Sequence, residues 1–113
     1  MVRLAARDRQ RQRGGVPMKF LVIWRMELSL LSREMAQAVG GMAEYGATLE
    51  RDGKVLSRWH VVGAHGGAWI YDVESHEEFE RLLARAPVFN FARYEVFALA
   101  EMGSPPAASA SRE

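Results

Sequence analysis

The chain contains no cysteine, which excludes disulfides, thiolate metal sites and cysteine nucleophiles. No apolar run approaches the roughly 20 residues that a membrane-spanning helix requires. The basic N-terminus is not followed by the long apolar stretch of a secretory signal, so a cytoplasmic location is expected. Histidine is limited to three residues, and no histidines and carboxylates stand at metal-ligand spacing, so no metal is expected. The glycine cluster at Gly63, Gly66 and Gly67 is not followed by a lysine and a helix start. It is therefore a turn and not a phosphate loop, and no cofactor is expected.

What is present is the composition of one small globular domain. The chain has 113 residues, of which 49% are hydrophobic and 26% charged, enough for one domain and not two. The net charge of +1 hides an asymmetry. Residues 1–17 carry five arginines against one aspartate, whereas the remainder has ten Lys/Arg against thirteen Asp/Glu. The mildly acidic remainder argues against a nucleic-acid surface. The basic segment lacks the apolar residues that offset ordering entropy and reads as a disordered leader, or as the product of a start codon set upstream of Met18. Residues 103–113, rich in Pro, Ala and Ser, read as a disordered tail.

Between them, residues 18–102 alternate strands and helices. Met18 to Met26 is apolar, β-branched and aromatic, a buried strand. Ser32 is a helix N-cap with Glu34 in the first turn. Met35, Val39, Met42, Gly46 and Leu49 then recur on one helical face as far as Arg51. Gly40-Gly41 weakens that helix by about 1 kcal/mol per glycine and invites a kink or a close backbone approach. Gly53 supplies a left-handed C-terminal residue. Val55 to Val62 and Ala68 to Val73 form a hairpin. Ser75-His-Glu-Glu78 is a capping box that opens a helix burying Phe79, Leu82, Leu83 and Ala86 and ending at Pro87. Phe91 to Leu99 is a fourth strand.

The order β-α-β-β-α-β predicts an α+β, ferredoxin-like domain, a four-stranded antiparallel sheet with both helices on one face. All four strands carry apolar residues on both parities. The uncovered face therefore needs cover, and the sheet of a second copy supplies it. A homodimer or higher homo-oligomer is expected, with a binding pocket between the two sheets.

Arg51-Asp-Gly53, Trp59, Gly63, Tyr71-Asp-Val73, Ser75, Ala86-Pro-Val-Phe-Asn-Phe91 and Tyr94-Glu-Val96 together resemble the muconolactone delta-isomerase family. The resemblance spans nearly the whole domain and implies the dimeric α/β-barrel arrangement. It implies a cofactor-independent isomerase or cyclase that moves a proton, and with it a double bond, on a lactone or polyketide-like small molecule. The chain departs from the pattern at Leu21 and Ile23, where the degradative members align histidine and lysine. It departs also at Ala64, where the turn histidine is displaced to His65.

Such a reaction needs a base that titrates near neutrality and a donor for the enolate oxygen. His60 and Arg58 share one strand face and are the pair expected to supply them, provided that face is the open one. The alternative is a polar pair in water. Glu27 is a second candidate base and Arg25 a second cation, the alternative being an ion pair at the strand end. His65 lies in the glycine turn, at the pocket mouth or in solvent. Trp24, Trp59, Trp69 and Tyr71 are candidates for a wall against a flat substrate, although core packing also accounts for them. His76 is expected to be exposed. Two other readings stay open: a cofactor-independent oxygenase of the same barrel class, and a ligand-binding or assembly module without turnover.

Overall fold

A computed structural model describes residues 16–103. The basic leader and the Pro/Ala/Ser tail lie, apart from their innermost residues, outside the described residues. Strand β1 spans Met18–Met26, helix α1 Arg33–Arg51, β2 Val55–His60, β3 Gly66–Val73, helix α2 His76–Arg85 and β4 Ala92–Leu99. Short 3-10 turns at Leu28–Leu30 and Phe89–Phe91 precede α1 and β4. The sheet order is β2-β3-β1-β4, with every neighbouring pair antiparallel. This is the expected ferredoxin-like arrangement.

The helix boundaries follow from local chemistry. Ser32 Oγ accepts the Met35 N–H at 3.1 Å and Ser75 Oγ accepts the Glu78 N–H at 3.0 Å, each satisfying a first-turn donor that lacks an intrahelical partner. The reciprocal half of the second box is shifted by one residue, because Glu78 Oε1 accepts from the Glu74 N–H at 2.8 Å. Helix α1 closes with Gly53 at φ 75°, with bonds from Gly53 N–H to the Glu50 carbonyl and from Lys54 N–H to the Leu49 carbonyl. That pair is a Schellman closure. Gly40 and Gly41 do not interrupt α1, and no backbone approaches them.

Strand alternation divides the sheet. Phe20, Val22, Trp24 and Met26 of β1 and Trp69, Tyr71 and Val73 of β3 are buried toward the helices. There they meet Met35, Met42 and Leu49 of α1 and Phe79 and Leu82 of α2. Phe20 stacks on Phe79 at 4.2 Å and 5°. The opposite face presents Leu21, Ile23, Ala68, Ile70, Phe97 and Leu99, which align across β3, β1 and β4, and no described helix covers it. Arg25 and Glu95 pair on that face at 2.6 Å.

Candidate functional site

Strand β2 holds the main correction to the sequence reading. Val55 sits opposite Tyr71, but Ser57 sits opposite Ile70, with the register shifted between Val55 and Ser57. The extra residue reverses the alternation. Arg58 and His60, opposite Trp69 and Gly67, therefore share the helix-facing side with Val55. Trp59, at 66% exposure, goes to the open face. His60 and Arg58 do not point into a space between two sheets. They lie where the β2 edge meets α1, within one chain.

Two adjoining lobes form a cleft there. The first, about 350 Å³, is lined by Trp24, Met42, Glu50, Arg58, His60 and Trp69 among others. The second, about 620 Å³, is lined by Trp24, Met26, Leu28, Leu31, His60 and His65 among others. Trp24, Val39 and His60 belong to both, so His60 stands at the junction. His60, Gly67, Trp24 and Tyr94 are neighbours in one row across the four strands. The Trp24 indole rests on Gly67, where a Cβ would lie 3.0 Å from its Nε1. That nitrogen is buried without a hydrogen-bond partner. Trp24 and Trp69 meet edge to face at 6.3 Å and 88°.

Arg58 is anchored and not free. Its Nε and Nη2 each lie 3.0 Å from Glu50 Oε1, and its Nη1 donates to the Ala43 carbonyl at 3.2 Å. The guanidinium also lies 5.6 Å from the centre of the Trp69 ring, within cation–π range. Gly46 makes room for this packing, because a Cβ there would fall 2.5 Å from Arg58 Nη1 and 2.8 Å from Trp69 Cη2. Glu50 was absent from the sequence-derived set. The available signal was its place four residues after Gly46, on the same side of the helix.

The other candidates separate. Glu27 accepts from Arg93 Nε at 2.6 Å and from Ser29 Oγ at 3.1 Å, the strand-end ion pair, and it does not line the cleft. Arg25 is on the open face with Glu95. His65 lines the larger lobe, while its carbonyl accepts the Met26 N–H at 2.8 Å. Tyr71 is a core residue between Trp69 and Phe79, and not a wall of the cleft. Burial pushes its phenol far up, and burial pushes that of Tyr94 up to about 12, so neither phenol supplies a neutral-pH base. His76 is exposed and tilts against Phe20 at 5.9 Å. Among the described residues no group of three or more acidic or imidazole side chains could hold a metal ion. Nor is any described helix long and apolar enough to cross a membrane.

Comparison with known proteins agrees with this architecture. A family profile described as Muconolactone delta-isomerase matches residues 18–104. A Muconolactone Delta-isomerase of Rhodococcus opacus is 35% identical over 60 residues, 53% of this chain and 64% of that protein. One of Acinetobacter baylyi is 36% identical over 55 residues, 49% of this chain and 57% of that protein. The matched segment thus spans a little under two thirds of the length of these relatives. A crystal structure of muconolactone isomerase superposes with a TM-score of 0.68 at 23% identity, covering 78% of this chain and 94% of the other.

Proposed function

Because the chain belongs to the muconolactone delta-isomerase family, we propose that it is a cofactor-independent isomerase that shifts a carbon–carbon double bond in a lactone or polyketide-like molecule by proton transfer. The observation that carries this reading is the position of His60 at the junction of the two lobes, beside an apolar indole wall. A neutral imidazole accepts a proton and its conjugate acid gives one back, which suits a group that must both take and return a proton.

In a β,γ-unsaturated lactone, His60 takes the proton from the carbon next to the carbonyl. The C–H electron pair becomes a dienolate spread over the carbonyl oxygen and the γ carbon. The imidazolium returns the proton at the γ carbon, and the double bond moves into conjugation. Nothing is oxidised or reduced. Arg58 serves as a positioning residue that holds Glu50, Trp69 and the α1 backbone around the cleft, and not as the group that receives the enolate oxygen.

The open face of the sheet, with Leu21, Ile23, Ile70, Phe97 and Leu99, supports assembly with a second copy. Burying it favours a homo-oligomer, while each chain keeps its own cleft. A cytoplasmic location accompanies this reading.

The test is proton exchange. Incubation of muconolactone, which carries a carboxylate, and of the neutral α-angelica lactone in D₂O, followed by proton NMR, should show enzyme-dependent deuterium incorporation and double-bond migration, fastest with α-angelica lactone. His60→Ala should slow both by about 10²–10⁴ with the fold intact. Absence of exchange from both lactones with the wild-type chain refutes the reading.

A further inference from the structure

Resting on that reading of the cleft, we infer that the site selects uncharged, flat lactones or ketones over carboxylates, and that Glu50 sets this selectivity by neutralising Arg58. The side chains of fixed charge that line the two lobes are Arg58 and Glu50, and they are bonded to each other at 3.0 Å. The remaining Arg58 contacts go to the Ala43 carbonyl and the Trp69 ring. A carboxylate entering this lobe leaves its water shell, meets a guanidinium already satisfied, and lies beside a second carboxylate. Each of these costs free energy without return.

The larger lobe offers an anion no better place. Met35 and Ala36, at the start of α1, line it, and a helix N-terminus favours negative charge. Here the Met35 N–H is taken by Ser32 Oγ, and Glu34 occupies the first turn. A neutral ligand finds matching chemistry instead. The indole and thioether walls take an apolar ring.

Two probes separate the cases, with binding followed by isothermal titration calorimetry. Coumarin is a flat neutral lactone, and coumarin-3-carboxylate differs from it by one carboxylate. Titrated at pH 8, the wild-type chain should bind coumarin at least about tenfold more tightly, the factor that corresponds to 1.4 kcal/mol. Glu50→Gln releases the guanidinium. It should raise the affinity for coumarin-3-carboxylate relative to coumarin by about tenfold or more, the worth of one hydrogen bond to a charged group. Arg58→Met, a second variant, should weaken the carboxylate further by leaving Glu50 alone. Near-UV circular dichroism checks that each variant is folded.

Tighter wild-type binding of the carboxylate, unchanged selectivity in both folded variants, or no binding of either probe overturns the inference. Selective coumarin binding without deuterium exchange on any lactone rejects the isomerase reading and leaves the selectivity standing. Exchange without selectivity does the reverse.

Discussion

One substitution made at two places in the same helix gives opposite expected results. Gly40→Ala and Gly46→Ala both replace a glycine inside α1, and helix propensity favours each by about 1 kcal/mol. At Gly40 no atom lies within 4 Å of the added Cβ, so the propensity gain stands alone. At Gly46 the Cβ would meet Arg58 Nη1 at 2.5 Å, Arg58 Cδ at 2.6 Å and Trp69 Cη2 at 2.8 Å. The Arg58 guanidinium is tethered to Glu50 and Ala43, and Trp69 is buried, so neither gives way freely. Overpacking of this kind costs about 1–3 kcal/mol, and displacing Arg58 loses charge-assisted hydrogen bonds worth about 1.5–3 kcal/mol. The pair is about a quarter exposed, so screening places the second contribution at the low end. After subtracting the propensity gain, the net loss for Gly46→Ala is about 2 kcal/mol. A domain of this size shifts by roughly 4–8 °C per kcal/mol. Gly40→Ala should therefore melt about 4–8 °C higher than the wild type, and Gly46→Ala about 8–16 °C lower. Gly41→Ala, 3.2 Å from the Pro87 ring, should fall between them. The assay is thermal unfolding followed by circular dichroism at one fixed protein concentration, since association shifts the midpoint. A higher melting point for Gly46→Ala, or equal shifts at both sites, refutes the packing assigned to Arg58 and Trp69.

Three further outcomes follow from other parts of the molecule. Burial alone would raise the Glu78 carboxyl, but the Lys54 ammonium at 2.6 Å and the Glu74 N–H hold it below the ordinary glutamate range. Its stabilisation is present above about pH 4.3 and is lost as pH falls through the depressed value. Glu78→Gln should lower the melting temperature at pH 7 and flatten the acid limb of the stability profile, and an unchanged acid limb would contradict the assignment. Leu21→Asp with Ile23→Asp places charge on the open sheet face and should, if the proposed self-association uses that face, give a smaller species than the wild type by light scattering while the far-UV spectrum is retained; an unchanged mass would contradict that surface. Met42→Ala enlarges the cleft beside Arg58 and removes buried side-chain volume, which should cost about 2–5 kcal/mol in denaturant unfolding; a loss below 1 kcal/mol would contradict its place in the core.

The elements were legible because their signals are local. Ser32 and Ser75 mark helix starts through hydrogen bonds made within three residues, and Met35, Met42 and Leu49 declare a face by spacing alone. The side to which Arg58 and His60 point was not legible. Both parities of β2 are mixed, with Leu56 on one and Trp59 on the other. The bulge after Val55 then reverses the phase, and only pairing with β3 reveals it. The Glu50–Arg58 bond joins a helix to a strand across a turn, and no periodicity within either element encodes it. Nothing near Glu27 and Arg25 in the sequence announces their ion pairs, because their partners, Arg93 and Glu95, lie on β4, far along the chain.

The pairing of β1 with β4 also orders events in time. Met18–Met26 precedes the other described elements along the chain, yet it is a central strand, and Lys19 pairs with Leu99. One of its edges can pair once β3 has left the ribosome, while the other waits for nearly the last described residues. Helix α1 and the β2–β3 hairpin form from near neighbours, whereas closing β1 on β4 spans most of the chain and is the slow, non-local step. Until then the β1 edge presents unpaired backbone groups and an apolar row, the kind of template on which nascent chains misassociate. Slow translation or a truncated β4 should therefore show itself first in yield and aggregation.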